Sequence, residues 1–318
     1  MTYFGLAACL SLMLFGLVSL VGSLVVGPVL RRRIGAAEPG AGALLTLRLA
    51  PTLAAAFLAG AVFLPAFLRL EPRHSGERLG AVTLAMGAAV ALMLASGPIR
   101  VLRTVLATRA LERRWRSGAT GIALPGLDLP AFAVDERFPL VGVVGVLRPR
   151  LYVARQVLER CTAGELRAIA AHEASHVLRH DNLARLLLRG CPDALAFTRT
   201  GVAFERAWSE ACDRVADDHA ARTGSRLDLA AALVKVARAL GTSAPAAGNV
   251  AAFCREETIG TRVRRLLRPA DAGAHAGAAH RRLALAAMPL MAAFVAAQAD
   301  PVAVRIHGLA ESVVRFLQ

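Results

Sequence analysis

The chain has 318 residues, 56% of them hydrophobic and 19% charged, with a mean hydropathy of +0.50. That is too apolar for an ordinary soluble domain and too charged for a protein lying wholly in a bilayer, so a membrane part and an aqueous part are both expected. The formal net charge of +15 raises nucleic-acid binding, but no zinc-finger, RNP or homeodomain pattern is present and the arginines cluster beside hydrophobic runs, so no nucleic-acid partner is expected.

Tyr3 to Leu30 carries no charge and is long enough to span a bilayer, which takes about 20 residues. Arg31-Arg32-Arg33 follows at once, the reverse of a cleaved signal peptide, so the segment reads as an anchor. Leu49 to Leu68 is a second candidate span, with Pro51 and Pro65 near its ends. Leu79 to Gly97 is a third, with Gly97-Pro98 as its stop, and Leu283 to Ala299 is a fourth and shorter one, for which a buried core helix is the alternative. Arginines 31, 32, 33 and 48 follow the first segment, and 100, 103, 109, 113, 114 and 116 follow the third. The positive-inside rule then sets the N-terminus outside and the region from 100 to 282 in the cytoplasm. Five scattered cysteines (Cys9, Cys161, Cys191, Cys212, Cys254) with no C-x-x-C pair predict no disulfide framework and a reducing compartment.

The region from 100 to 282 is long enough for one domain. It opens with short β-prone runs, 132–134, 140–147 and 150–153, punctuated by Pro139, Gly142, Gly145 and Pro149. Thr162-Ala163-Gly164-Glu165 has the form of a capping box, starting a helix that runs to about His180. Asn182 to Phe204 is expected as a helix at the membrane surface or over the site, and two further helices are predicted over 205–223 and 227–240. Residues 270–279 read as a Gly/Ala-rich linker.

His172-Glu173-Ala174-Ser175-His176 lies on the capped helix. Two histidines four apart project from one helical face, and two imidazoles at that spacing suit zinc. Glu173 beside them could take a proton from a water that the metal acidifies. For the same residues, two histidines on a solvated helix face are the structural alternative. A zinc site needs a third protein ligand. The best stretch is Trp208 to Asp218, where Asp213 and Asp217 stand at i and i+4: one as ligand, the other holding a ligand histidine by its free N–H. Glu210 is the rival ligand, with Asp213 one turn on. His180 and Asp181 follow the motif and could line the site, but an interfacial or stabilising role is the favoured reading.

These features together resemble the BlaR/MecR-type membrane metallopeptidases, peptidase family M-56, the antirepressor and β-lactam sensor-transducer group. The similar segments are Pro139-Leu140-Val141-Gly142, Arg148 to Val153, Glu165-Leu166 with the HEASH helix, Arg179-His180-Asp181 and Glu210 to Asp213. The resemblance covers 139–240 and implies a mainly α membrane protein, about four transmembrane helices with a gluzincin-like α+β zinc metallopeptidase domain inserted between helices three and four. The domains expected are 1–99 (three spans), 100–282 (peptidase) and 283–318 (fourth span and tail). It also implies Zn2+ on His172 and His176, Glu173 as base, and a bacterial-type inner-membrane location. Two departures stand out. The family's E-x-x-x-D pattern is absent, since Ser209 stands four before Asp213; either an aspartate replaces the glutamate as ligand or Glu210 is used from a shifted register, and the spacing from Trp208 favours Asp213. No S-x-x-K motif follows the last segment, so no penicillin-binding sensor domain is expected.

The function expected is a membrane-anchored zinc endopeptidase cutting a regulatory or membrane-proximal protein on the cytoplasmic side, with a repressor or separate sensor as possible partners by analogy. The peptide is expected to add as a strand near Leu151 to Ala154. The alternatives are a housekeeping quality-control metalloprotease and a non-catalytic signalling or scaffold protein with a vestigial metal site.

Overall fold

The computed structural model describes residues 3–35, 39–70, 80–136, 140–240 and 256–268. The expected fourth span, the linker at 270–279, Pro139 and Cys254 lie outside the described residues. Three helices are long and apolar enough to cross a membrane: α1 (Tyr3–Ile34), α2 (Ala41–Leu70) and α3 (Ala81–Arg116). The described cysteines, Cys9, Cys161, Cys191 and Cys212, are all buried, and none of them forms a disulfide.

The chain divides into two compact units. The first contains α1, α2, α3 as far as Arg100, and residues 188–205, which the sequence assigns instead to the peptidase region. Its helices approach closely where side chains are small, as membrane helices do. A Cβ on Gly87 would stand 2.8 Å from the Cys9 sulfur. Aromatic packing closes one end, where Phe63 and Phe67 bury against Leu6 and Ala7.

Three local expectations change in this unit. Helix α2 begins at Ala41, so Arg48 lies inside it, 3% exposed, rather than in a loop, and a wider π-type turn over Phe57–Phe63 interrupts the α geometry. Helix α3 does not stop at Gly97-Pro98 but continues through Pro98 to Arg116. A proline removes one N–H and crowds the preceding turn, yet long membrane helices absorb it as a kink when neighbours satisfy the freed groups. Gly97 is needed there, because a side chain would run into the Gly190 carbonyl. The predicted helix over 182–204 is broken in two: α6 (Asp181–Gly190) ends before Pro192, and α7 (Arg199–Thr223) begins seven residues later than Pro192. Pro192 cannot donate to the helix and disfavours helical dihedrals at Cys191. Arg100 receives the chain end there, donating from Nε to the Arg189 carbonyl (2.9 Å) and from Nη2 to that of Cys191 (2.8 Å). A 3-10 turn, Ala194–Phe197, fills the gap, capped by Asp193, whose Oδ1 accepts the Ala196 N–H at 3.2 Å.

The second unit comprises, among the described residues, 101–136, 140–187, 206–240 and 256–268. Its sheet has four strands: β1 (Thr120–Ile122), β2 (Ala131–Val134), β3 (Val141–Val144) and β4 (Arg150–Ala154), in the order β1-β2-β4-β3. Strand β2 pairs parallel with β4, and the other two pairs are antiparallel. Strand β4 is therefore interior, buried from Leu151 to Ala154, and cannot accept an added strand as the sequence predicts; β3 is the edge beside it. The last turns of α3 fasten to this sheet, with Tyr152 Oη and Arg150 Nη1 both donating to Glu112 Oε1 (3.0 and 2.6 Å).

Helices α4 (Arg155–Arg160), α5 (Ala163–Leu178), α8 (Arg226–Leu240) and α9 (Glu256–Leu267) complete the unit. Leu151, Val153, Ile169, Leu229 and Leu233 are wholly buried between sheet and helices. The capping box of α5 forms as the sequence predicts: Glu165 N–H donates to Thr162 Oγ1 (3.3 Å), and Thr162 N–H donates to Glu165 Oε2 (2.7 Å). Lys235 of α8 donates to the same carboxylate oxygen at 2.7 Å. Thr162→Ala removes one half of the box and is expected to lower stability by about 1 kcal/mol. Chemical denaturation of the full chain in detergent checks this; an unchanged midpoint rejects it.

Candidate metal centre

Helix α5 presents His172 and His176 on one face, one turn apart. Their rings meet edge to face with Nε2 atoms 3.2 Å apart. His172 is 1% exposed and the His176 side chain 13%, so these are not two histidines on a solvated face. Each ring is held from behind by a carboxylate. His172 Nδ1 lies 3.0 Å from Asp217 Oδ1, and His176 Nδ1 lies 2.8 Å from Asp181 Oδ2. The hydrogen bond of Asp181 to His176 Nδ1 fixes the tautomer that leaves the Nε2 lone pair free, the arrangement metal-ligating histidines use, and Asp217 stands at ion-pair distance from the same atom of His172.

Helix α7 supplies the third group. Asp213 Oδ1 stands 3.6 Å from His176 Nε2, and the ligand atoms of His172, His176 and Asp213 all lie within 4.8 Å of one another. Asp213 is 4% exposed, and its Oδ1 has no hydrogen-bond partner among the described residues. A buried, unsatisfied carboxylate oxygen facing two imidazole nitrogens is costly unless a cation completes it. Two nitrogens on a tetrahedral zinc, each about 2.0–2.1 Å from the metal, stand about 3.3 Å apart, close to the spacing here. Asp217, four residues on, points to the same centre because i and i+4 share a helical face. Glu210, the rival ligand, is half-buried and outside this group.

Glu173 sits beside the two histidines, 4% exposed, where the backbone of Val143 in the edge strand β3 favours its charged form. Burial pushes its carboxyl upward, partly offset by His176. Burial lowers His172 to about 4 against the pull of Asp217, so this imidazole is neutral at pH 7, as a ligand must be. Burial also opposes a charge on Asp217, but Arg262 and His172 outweigh it and hold that carboxylate well below its ordinary range. Burial pushes Asp213 up, with Arg262 and His176 opposing.

Two members of this cluster carry little signal in the sequence. Asp181 reaches His176 because His180 adopts a left-handed backbone (φ 55°), ending α5 and turning the chain back at once into α6. Such a conformation is uncommon outside glycine and is a feature of functional sites. Arg262 comes from α9, which the sequence reading does not predict at all. Its Nε donates to Asp217 Oδ2 at 2.9 Å and its Nη2 to Oδ1 at 2.6 Å.

A cleft of about 160 Å³ opens beside His176, lined by Val143, Leu147, Pro149, Val177 and Leu183. Asn182 braces one wall, donating from Nδ2 to the carbonyls of Val143 (3.1 Å) and Gly145 (3.0 Å). The wall is mostly apolar and the end at His176 is polar.

No protein-family model, no curated protein and no solved structure matches the chain.

Proposed function

We propose that this chain is a membrane-anchored zinc endopeptidase of the BlaR/MecR type. The observation that carries the proposal is the convergence of His172 Nε2, His176 Nε2 and Asp213 Oδ1, each histidine backed by its own carboxylate, with Glu173 on the same helix. His172, His176 and Asp213 hold the metal; Asp217 and Asp181 orient the imidazoles. Zinc, when bound, supplies Lewis acidity toward a carbonyl oxygen and brings the pKa of a water to about 7. Glu173 accepts the proton of the attacking water and passes it to the departing amide nitrogen. The water oxygen joins the carbonyl carbon, the C–N bond breaks, and the proton ends on the new amine.

The substrate is a polypeptide whose apolar side chains, near the scissile bond, enter the cleft between β3 and the end of α5. The arginines after α1 and on the latter part of α3 support a cytoplasmic placement of this chemistry. A regulatory or membrane-proximal protein, such as a repressor, fits that placement by family analogy.

The test is the zinc content of the full chain purified in detergent, beside its Asp213→Ala and Glu210→Ala variants. About one zinc per chain is expected for a single three-ligand site, lost from Asp213→Ala and kept by Glu210→Ala. Loss from Glu210→Ala alone rejects Asp213 as ligand. A folded parent without zinc rejects the peptidase and leaves a scaffold with a vestigial site.

A further inference from the structure

The three groups that would hold the metal and their two carboxylate supports lie on α5, α6 and α7, all within the stretch that the sequence singles out. The structure adds a residue from much later in the chain. Arg262 is 5% exposed and lies 45 positions beyond Asp217 in sequence, yet it grips both oxygens of that carboxylate. We infer that Arg262 is a positioning residue of the metal centre: it locks the plane of Asp217, and Asp217 in turn fixes the His172 ring. This inference rests on the zinc reading above and extends it to α9.

Asp217 Oδ1 has two neighbours, His172 Nδ1 at 3.0 Å and Arg262 Nη2 at 2.6 Å, while Oδ2 takes Arg262 Nε at 2.9 Å. A single contact from His172 would leave the carboxylate free to rotate about its Cβ–Cγ bond. The two-point guanidinium fork removes that freedom, and a point-charge ammonium does not reproduce it. Burial sharpens the effect. Asp217 is 0% exposed and His172 1%, so solvent offers no substitute donor. The same guanidinium is the one buried cation of this unit among the described residues, against four carboxylates at the metal centre no more than 4% exposed, Glu173, Asp181, Asp213 and Asp217; the fifth carboxylate buried to that degree, Glu165, pairs with Lys235 at the start of α5. It therefore also moderates the mutual repulsion of the acids before any metal arrives.

Helix α9 is seated so as to deliver this group. Ile259 and Leu266 are buried in the core of the unit, one turn to either side of Arg262. Arg265, one turn on, pairs with Asp218 and donates to the Arg214 carbonyl (3.4 and 3.3 Å), but its side chain is 25% exposed and that of Asp218 42%. Arg265 thus offers a control. It joins the same two helices through the neighbouring aspartate without touching the one behind His172.

The experiment measures zinc affinity by competition with a chromophoric chelator for the full chain and its Arg262→Gln, Arg262→Lys and Arg265→Gln variants. The visible spectrum of the Co2+-loaded forms is recorded in parallel. Loss of a residue that orients a metal ligand weakens metal binding by about 10–100-fold, and that loss is expected for Arg262→Gln, with an altered Co2+ spectrum. Arg262→Lys should recover part of the affinity, and Arg265→Gln should bind as the parent does. Asp217→Asn combined with Arg262→Gln should bind no more weakly than Asp217→Asn alone, because the arginine acts through that carboxylate. Parent affinity and spectrum in Arg262→Gln overturn the inference while leaving the peptidase intact. An equal loss in Arg265→Gln also overturns it, by showing that helix docking is responsible. If Arg262→Gln does not fold, Arg262→Lys decides: weakened zinc binding supports the two-point grip, and parent affinity overturns it. A parent that holds no zinc removes the peptidase and this inference together.

Discussion

Glu173→Gln is expected to slow peptide cleavage by about 10²–10⁴-fold, the usual contribution of a positioned general base, while zinc content stays at the parent value. Glutamine keeps the shape of the side chain and a carbonyl oxygen, but it cannot carry a proton. Glu173 is not one of the three converging ligand groups, so the metal has no reason to leave. Stability gives an independent check with a defined sign. Burial raises the Glu173 carboxyl in the folded chain. A carboxyl raised on folding opposes folding once the pH passes its unfolded value, about 4.3 for glutamate, because the ionised form is better solvated when unfolded. With the metal stripped by a chelator, the Gln variant at pH 7 should therefore unfold at the same temperature as the equally stripped parent or higher. Cleavage of a peptide library at the parent rate by a zinc-loaded Glu173→Gln protein would remove Glu173 as the base. A large drop in unfolding temperature would instead mean that the carboxylate is a structural group.

The parts of this centre that the sequence discloses are those whose geometry is local. Thr162 and Glu165 form a capping box because the box is a property of four consecutive residues. His172 and His176 share a face because a helix repeats every 3.6 residues, and the same spacing puts Asp213 and Asp217 together. Arg262 is illegible by comparison: it is one of 38 basic residues, and nothing in its neighbourhood distinguishes it from Arg264 or Arg265. Its role depends on the docking of α9 against α8 and the core, which no spacing encodes. Asp181 adjoins the motif, yet its use as the support of His176 depends on the left-handed turn at His180, a conformation that histidine does not advertise. The same division holds for the fold. Local proline rules suggest a stop at Pro98, where a long helix carries the proline through, whereas at Pro192 they hold, and the chain breaks where the apolar pattern of 182–204 reads as one helix. Strand positions are visible in the β-prone runs, apart from the short β1. Strand order is not, and it is the order that makes β4 interior and gives β3 the edge beside Glu173.

In the first unit, separating Arg48 from Asp193 should have the largest effect on stability. Arg48, seven residues into α2, pairs through Nη1 with Asp193 Oδ2, and Thr52 Oγ1 donates to the same oxygen at 2.8 Å. Arg48 is 3% exposed and Asp193 0%, so neither charge can turn to water when its partner is lost. Breaking a buried pair by removing one member costs about 3–5 kcal/mol, most of it the desolvation of the charge left behind. Arg48→Met and Asp193→Asn are each expected to destabilise the full chain by that amount. The double variant should recover most of the loss, since neither charge remains and asparagine still serves as the cap of the Ala194–Phe197 turn and as an acceptor for Thr52. Reversible unfolding in detergent, compared across the parent, both single variants and the double, yields the coupling directly. Two single variants each within about 0.5 kcal/mol of the parent, the range of ordinary surface substitutions, would show that the pair does not hold residues 188–205 to the helices of this unit. Recovery in the double variant would show that it does so as a matched pair of charges, and that Arg48 serves this contact rather than marking a cytoplasmic loop.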